Sequence, residues 1–279
     1  MSAGGGPELD RPRDTGALFR HALGLLAARP LAYLAIGAAF AVPIQLAVSG
    51  VGLEQLTARY DERVEPVELA VGALTSYVLV TPLTTVACAL LVVDASASAA
   101  RTIVRALELS TPLLLAAIAA AFGVALGLFL LILPGLYLVV RWFLFPQAVA
   151  LEQQAGIAGE RSPSASGGAQ AERWSAEHRT ARSRASTARS WVLEPLRRSG
   201  QLIEGFWFRA AGVVVVANLV ALVPGSLMIL PFEAWAAELG REWPGLAGSI
   251  LAETVTAPVV AVVATLLFFD LKARHAQPF

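Results

Sequence analysis

The sequence predicts an all-α fold: a polytopic membrane bundle of six transmembrane helices, with short amphipathic helices at the membrane surface. Three observations carry this prediction. Of the 279 residues, 56% are hydrophobic and only 15% are charged, whereas soluble domains carry charge on about a quarter of their residues. Six separate stretches are apolar and long enough to cross a bilayer. The basic residues collect on alternate connections between these stretches, as the positive-inside rule requires.

Each apolar stretch approaches the length that a membrane helix needs, because a hydrocarbon core of about 30 Å requires roughly 20 helical residues. Several stretches contain proline, which membrane helices tolerate because neighbouring helices satisfy the freed carbonyl groups. We expect kinks at these prolines. The six predicted spans are Leu31–Val48, Val67–Val93, Pro112–Leu133, Gly135–Leu151, Phe206–Leu230 and Ser249–Phe269.

The distribution of arginine and lysine predicts the orientation of the chain. With the N-terminus inside, the inner segments hold sixteen of the 21 basic residues. The outer loops hold only Arg59, Arg63 and Arg241. This asymmetry predicts a multi-pass protein of the cell (inner) membrane with both termini in the cytoplasm.

Two internal matches favour three tandem parallel hairpins. Residues 30–40 match residues 112–122 at seven of eleven positions, which links spans one and three. Pro82–Asp94 and Pro258–Asp270 both run from proline through an apolar stretch to aspartate, which links spans two and six. A short helical stripe precedes each odd-numbered span and predicts a helix at the membrane surface, with a plain extension of the span as the alternative. The stripes are Leu18, Ala22, Leu25 and Leu26; Ile103, Val104 and Leu107; and Leu196, Leu202 and Ile203.

These features divide the chain into a flexible N-terminal tail, 1–15, a single six-helix membrane domain, 16–271, and a C-terminal tail, 272–279. The membrane domain contains a cytoplasmic insertion, 153–194, which opens with the low-complexity segment GERSPSASGGAQ and is predicted to be partly disordered. From Ala171 to Arg198 the chain holds seven arginines and three glutamates. This charge fits an ordinary positive-inside loop, and the alternative is a segment that binds anionic lipids.

Three runs of residues resemble a known family. They are LPGLYLVVRWFLFPQAVALE, PLRRSGQLIEGFWFRAAG and TAPVVAVVATLLFFDLKAR. They resemble the glycerophosphoryl diester phosphodiesterase membrane-domain family and the related YciC-like six-span bacterial membrane proteins of unknown function. The chain departs from the family pattern at Lys272, where arginine is usual, and in the insertion. The residues that keep the pattern are Pro134, Gly135, Arg141, Glu152, Arg198, Ser199, Trp207 and Asp270.

The resemblance implies a bacterial membrane domain and not a hydrolase. The family name comes from members in which this domain is fused to a soluble phosphodiesterase barrel with paired carboxylates and histidines. We expect no such barrel here, because the six spans occupy the chain.

Arg141 and Glu253 are the candidate structural or functional charges inside the membrane. Arg141 lies about 10 Å below the turn at Pro134–Gly135, from the helical rise of 1.5 Å per residue. An arginine at that depth costs several kcal/mol unless it pairs or reaches the headgroups. Glu253 enters the sixth span from the same side, so we expect an Arg141–Glu253 ion pair, with Glu68 as the second choice. The alternative is that Arg141 extends to the outer headgroups.

Two further expectations concern helix ends and helix packing. Asp94 and Asp270 each end a helix, where the helix dipole disfavours negative charge. We therefore expect arginines of the surface helices to compensate them. The Gly123-x-x-x-Gly127 motif permits close helix contact, and we expect it to pack within the chain rather than to drive dimerisation.

The remaining reactive residues point to no chemical site. Cys88 lies in an apolar run, and the three histidines share no metal-ligand spacing. We therefore predict no metal, no cofactor, no catalytic residues and no enzyme activity. The formal net charge of zero gives no reason to expect a nucleic-acid partner.

The sequence favours a non-catalytic membrane accessory, scaffold or lipid-contacting module. Its partners would be membrane lipids and an unidentified protein, with the oligomeric state left open. The alternative is a transporter of small molecules or lipids with a central cavity between the helices. A polar cavity would favour the transporter, and a packed, dry core would favour the scaffold. The polar residues that could converge at mid-membrane are few: Thr81, Thr84, Thr85, Gln147, Asn218, Thr254 and Thr256.

Overall fold

The computed structural model describes residues 11–48, 72, 74–151 and 188–276. Within these ranges the structure is helical and contains no strand, and six helices are long and apolar enough to cross a membrane. This confirms the predicted all-α bundle and indicates a multi-pass membrane protein. The six candidate spans are Pro30–Val48, Ser76–Val93, Ser110–Leu130, Ile132–Leu151, Trp207–Leu239 and Trp243–His275.

Nine α-helices of the described part of the chain are labelled here in order. A π-helical turn, Ser76–Val80, leads directly into the helix Thr81–Val93. It precedes Pro82, which has no N–H to donate to a regular helical turn, and the wider turn accommodates this loss. The helices are α1 Thr15–Ala28, α2 Pro30–Val48, α3 Thr81–Val93, α4 Ala99–Glu108, α5 Ser110–Leu130, α6 Ile132–Trp142, α7 Ala188–Ile203, α8 Trp207–Leu239 and α9 Trp243–His275.

Short helices α1, α4 and α7 precede the first, third and fifth spans, where the apolar stripes predicted them. Asp14 and Ser98 cap the first turns of α1 and α4 by accepting backbone hydrogen bonds. In α4, Thr102 is buried, whereas Val104 and Leu107 are 56% and 52% exposed. Val104 and Leu107 of the α4 stripe therefore face away from the protein, as expected for a helix at a membrane surface, whereas Ile103 packs against the core.

Helix α9 lies at the centre of the bundle and packs against α8, α3, α2 and α1. Gly37 brings α2 onto α9, because a Cβ at this position would lie only 2.2 Å from the carbonyl oxygen of Thr254. Such an approach of two helix backbones requires glycine. Helix α9 consequently contacts both helices of the first predicted hairpin more extensively than these contact each other.

The second hairpin is held by glycines at its turn. A Cβ at Gly123 would lie 2.5 Å from the Trp142 ring, and a Cβ at Gly127 would lie 2.9 Å from the Cα atom of Gly135. The glycine motif of α5 therefore packs against α6. This confirms the prediction that it serves packing within the chain.

Helices α8 and α9 are longer than the predicted spans. Each has 33 residues and extends about 50 Å at 1.5 Å per residue, beyond the 30 Å of a hydrocarbon core. The C-terminal end of α8 lies beside the N-terminal end of α9, where the ring centroids of Trp235 and Trp243 are 4.9 Å apart. Hydropathy alone ended the fifth span near Leu230 because the additional turns of α8 carry Glu233 and Glu238, and it ended the sixth near Phe269 because Asp270, Lys272 and Arg274 follow.

The predicted tail and insertion are described only in part. Residues 1–10 and 152–187 lie outside the described ranges. Arg13, which lies within the predicted flexible tail, is buried at 8% exposure. Helix α7 begins at Ala188, within the predicted insertion, and α9 continues to His275, within the predicted C-terminal tail.

Candidate functional site

A cleft of about 910 Å³ lies among five of the six spans. Its walls are mostly apolar and come from the second half of α2, the start of the second span, residues 139–146, and the middle of α8 and α9. Polar side chains from four of these segments reach the same space. They are Gln45, Ser76, Tyr77, Thr81, Thr85, Asn218, Ser226, Ser249, Glu253 and Thr256.

A chain of hydrogen bonds crosses one wall of the cleft. The Gln45 side-chain amide donates to the Glu253 carboxylate and to the Ser76 hydroxyl, the latter at 3.3 Å. Gln45 lies eight residues after Gly37, so both occupy the same face of α2. The close contact at Gly37 therefore aims Gln45 at α9 and joins three spans at one polar point.

The cleft is rich in hydrogen-bond acceptors and carries one formal charge. Among the described lining residues, Glu253 is the one acid, and no arginine or lysine is present. Its hydrogen-bond partner is a neutral amide, which leaves the negative charge uncompensated. The Thr256 hydroxyl donates to the Ala252 carbonyl, and an Asn218 amide N–H donates to the Val214 carbonyl, each at 2.8 Å. These bonds occupy donors and leave oxygen lone pairs for a ligand.

Part of this site was predicted from the sequence. Gln45 and Ser76 were not predicted, because single polar residues near the ends of spans are common. Thr84 and Gln147 are fully buried, and their polar side-chain atoms have no hydrogen-bond partner among the described residues. Thr254 is also buried. The predicted polar residues that do line the cleft are Thr81, Thr85, Asn218 and Thr256.

Arg141 and Glu253 do not form the predicted ion pair. Arg141 Nη1 donates to the Tyr137 hydroxyl at 2.8 Å, and its guanidinium carbon lies 5.7 Å from the centroid of that ring. A Cβ at Gly200 would lie 3.0 Å from Arg141 Nε, so the guanidinium rests against α7. Glu68, the second choice, lies outside the described residues. The prediction failed because it compared depths in the membrane, which leave the rotation of each helix about its own axis undetermined.

Ser199 of α7 bridges a break in the fourth span. The helix is interrupted at Phe143 and Leu144, just before Pro146, and resumes at residue 145. The Ser199 hydroxyl donates to the Arg141 carbonyl at 2.8 Å and accepts from the Leu144 N–H at 3.2 Å. One buried hydroxyl thus satisfies two backbone groups that the break would otherwise leave unpaired.

Asp270, which is fully buried near the end of α9, binds two arginines and the N-terminal segment. Arg209 Nε and Arg274 Nε donate to its Oδ2 atom at 3.0 and 3.1 Å, and the Arg13 backbone N–H donates to Oδ1 at 2.6 Å. Both arginines also donate to the Arg13 carbonyl. Arginines do compensate this aspartate, but they come from α8 and α9. The expectation that surface helices supply them was wrong for Asp270.

Asp94, at the corresponding position of the second span, is exposed and has a different environment. Its carboxylate accepts hydrogen bonds from the Ser96 hydroxyl at 2.6 Å and the Ser96 N–H at 3.0 Å. These bonds, aided by the charge of Arg101 on α4, hold the pKa of Asp94 below its ordinary value. The helix end is thus compensated chiefly by a local turn.

The described residues contain no group of three or more histidine, cysteine, aspartate or glutamate side chains placed to hold a metal ion. Cys88 is buried and free. The absence of cofactors and of catalytic residues stays a prediction.

Comparison of the chain with family models, with curated proteins and with solved structures finds no match. The resemblance to the YciC-like proteins therefore rests on the sequence motifs and stays a prediction. Three of the residues that carry it, Arg141, Ser199 and Trp207, lie where α6, α7 and α8 meet. Trp207 stacks on Tyr137 with ring centroids 5.9 Å apart, Tyr137 binds Arg141, and Ser199 bonds to the Arg141 backbone.

Proposed function

We propose that this chain is a multi-pass membrane protein that binds a single-chain amphiphile from the membrane in the cleft, as a lipid-handling or small-molecule transport protein. The observation that carries this proposal is the cleft itself, which combines apolar walls with a polar cluster at Gln45, Ser76 and Glu253. An amphiphile matches this division, because its chain contacts the apolar walls while its polar end meets the cluster.

The size and opening of the cleft support this class of ligand. Its volume of about 910 Å³ falls within the 300–1,000 Å³ that is usual, as a rough range, for small-molecule sites. Val215, Leu219 and Leu222 of α8 line the cleft, yet they are 56%, 55% and 60% exposed. The wall therefore opens along an apolar helix face, which is the route that a molecule arriving from the acyl-chain region would take.

The proposal includes the setting predicted from the sequence. The distribution of basic residues supports an orientation with both termini in the cytoplasm. The motifs that resemble the YciC-like family support a location in a bacterial cell membrane. The proposal contains no catalytic step, so we continue to regard the chain as a non-enzyme.

A structural scaffold is the second candidate, and one observation favours it. Helix α3 is buried on all faces from Pro82 to Val92, and α9 is buried from Ala261 to Leu271. A helix that is apolar all round belongs in a packed core. This part of the bundle is well suited to hold its shape while a partner protein docks elsewhere.

Native mass spectrometry of the protein purified in mild detergent separates the two candidates. We would compare wild type with Ala257→Trp, which places an indole in the cleft, and with Ala125→Trp, which lies on an exposed face of α5 away from it. Binding in the cleft predicts an enriched lipid or small molecule that is lost only from Ala257→Trp. A stoichiometric protein partner, retained by both variants with no enriched small molecule, would support the scaffold and overturn the proposal.

A further inference from the structure

We infer that the cleft selects amphiphiles whose polar end is a protonated amine, with the Glu253 carboxylate as the anionic partner. This inference rests on the proposed function and adds the class of ligand. It starts from the charge balance of the cleft. Glu253 is the single formal charge among its described lining residues, and no described lining residue carries a compensating positive charge.

The hydrogen-bond pattern around Glu253 defines what the cleft lacks. The amide of Gln45 donates to one carboxylate oxygen, Oε2, and no hydrogen bond among the described residues engages Oε1. The same amide group also donates to Ser76. Hydrogen-bond acceptors without a donor therefore outnumber free donors at this wall. A ligand with several N–H donors and a positive charge would satisfy these acceptors and balance the Glu253 charge.

The other polar side chains of the cleft favour the same chemistry. The Thr256 hydroxyl already donates to a carbonyl of its own helix, so it offers an oxygen acceptor to a ligand. Tyr77 and Trp142 add aromatic rings to the lining, and the faces of such rings attract cations. An anionic headgroup, by contrast, would meet the Glu253 carboxylate with no arginine or lysine of the described lining to offset the repulsion.

The arrangement also distinguishes Glu253 from Asp270, the carboxylate near the end of α9. Asp270 is fully enclosed, and two arginines saturate its charge. Glu253 is half-buried, faces the cleft and has only a neutral partner. Asp270 thus stabilises the fold, whereas Glu253 remains available to a ligand.

The test compares three probes with the same chain: dodecylamine, dodecanol and dodecyl phosphate. Each would be titrated into the full-length protein in zwitterionic-lipid nanodiscs, and bound probe would be counted by native mass spectrometry. The variants are Glu253→Gln, which preserves shape while removing the charge, and Glu238→Gln, which removes an exposed carboxylate of α8 that does not line the cleft.

We expect wild type to bind dodecylamine about tenfold or more tightly than dodecanol, because hydrogen bonds to a charged group are stronger than neutral ones. Glu253→Gln should bring this ratio close to one, and a circular dichroism spectrum equal to that of wild type would verify that the variant is folded. Glu238→Gln should keep the ratio. An unchanged ratio in Glu253→Gln, or a preference for dodecyl phosphate in wild type, would overturn the inference.

The same titrations separate this inference from the proposed function. If dodecanol binds in the cleft but wild type shows no preference for the amine, the amine inference fails and the amphiphile proposal stands. If none of the three probes binds, the amphiphile proposal fails, and the amine inference fails with it.

Discussion

Replacing Gly37 by alanine tests the helix contact that organises both the bundle and the cleft. The new Cβ would lie 2.2 Å from the Thr254 carbonyl oxygen and 3.2 Å from Cγ of Pro258. Ordinary contacts of this kind begin near 3.4 Å, so α2 and α9 must separate by about 1 Å to relieve the overlap. The obstructing atom belongs to the backbone of a packed helix, so it cannot rotate away.

The expected cost follows from two opposing effects. Forcing an extra methyl group into a packed contact costs about 1–3 kcal/mol, while replacing glycine by alanine within a helix gains about 0.5–1 kcal/mol. We expect Gly37→Ala to lower the free energy of unfolding by about 1–2 kcal/mol. Gly212→Ala is the matched control, because its Cβ would meet no atom within 4 Å and should therefore show only the gain.

Unfolding by titration with a denaturing detergent, followed by circular dichroism, measures this difference. Both variants carry the same chemical change within a predicted membrane helix, so their difference isolates the contact with Thr254. Equal stability of Gly37→Ala and Gly212→Ala would refute the close approach of α2 and α9. A shift of the helices should also weaken amphiphile binding in Gly37→Ala, because Gln45 lies on the same face of α2.

Three further outcomes are expected. Asp270→Asn should lower the free energy of unfolding by about 3 kcal/mol, which is the low end for a broken buried ion pair because both arginines are partly exposed. Trypsin should then cleave after Arg13 faster than in wild type, and unchanged cleavage would show that Asp270 does not hold the Arg13 segment in place. Ser199→Ala should lower the free energy of unfolding by about 1–3 kcal/mol, because it leaves two buried backbone groups unpaired. Ser249→Ala should lower it less, because the Ser249 hydroxyl bonds within its own helix. Equal losses of stability in the two variants would argue against the Ser199 bridge. Burial, with nearby arginine charges, lowers the pKa of His21 below its ordinary 6.5. The contribution of His21 to stability is therefore complete above pH 6.5 and decreases as the pH falls. His21→Gln should remove that part of the pH dependence of unfolding, and an unchanged pH profile would exclude His21 as its source.

The sequence was sufficient to predict the elements of the fold, because each depends on local composition. A run of about 20 apolar residues forms a membrane helix wherever it occurs, and short stripes with a helical period predicted α1, α4 and α7. Packing of the Gly123 motif within the chain was also predictable, since a second helix follows it directly. These features need no knowledge of which distant helices are neighbours.

The cleft was harder to predict because it depends on the arrangement of helices distant in sequence. Gln45, Ser76 and Glu253 are far apart in the sequence. They come together because α9 packs against α2 and the second span. Arg141 shows the same limitation. Its depth in the membrane was estimated from the sequence, but its rotational position directs it toward Tyr137 and Gly200.

The Ser199 bridge couples α7 to the wall of the cleft mechanically. Phe143, within the break that Ser199 stabilises, lines the cleft, and so does Pro146. A movement of α7 that withdraws the hydroxyl would leave two buried backbone groups unpaired, at the same cost of about 1–3 kcal/mol that is expected for Ser199→Ala. The break therefore holds its shape only while α7 is docked. A force or a binding event that displaces α7 would be transmitted to the shape of the cleft without passing through its lining residues.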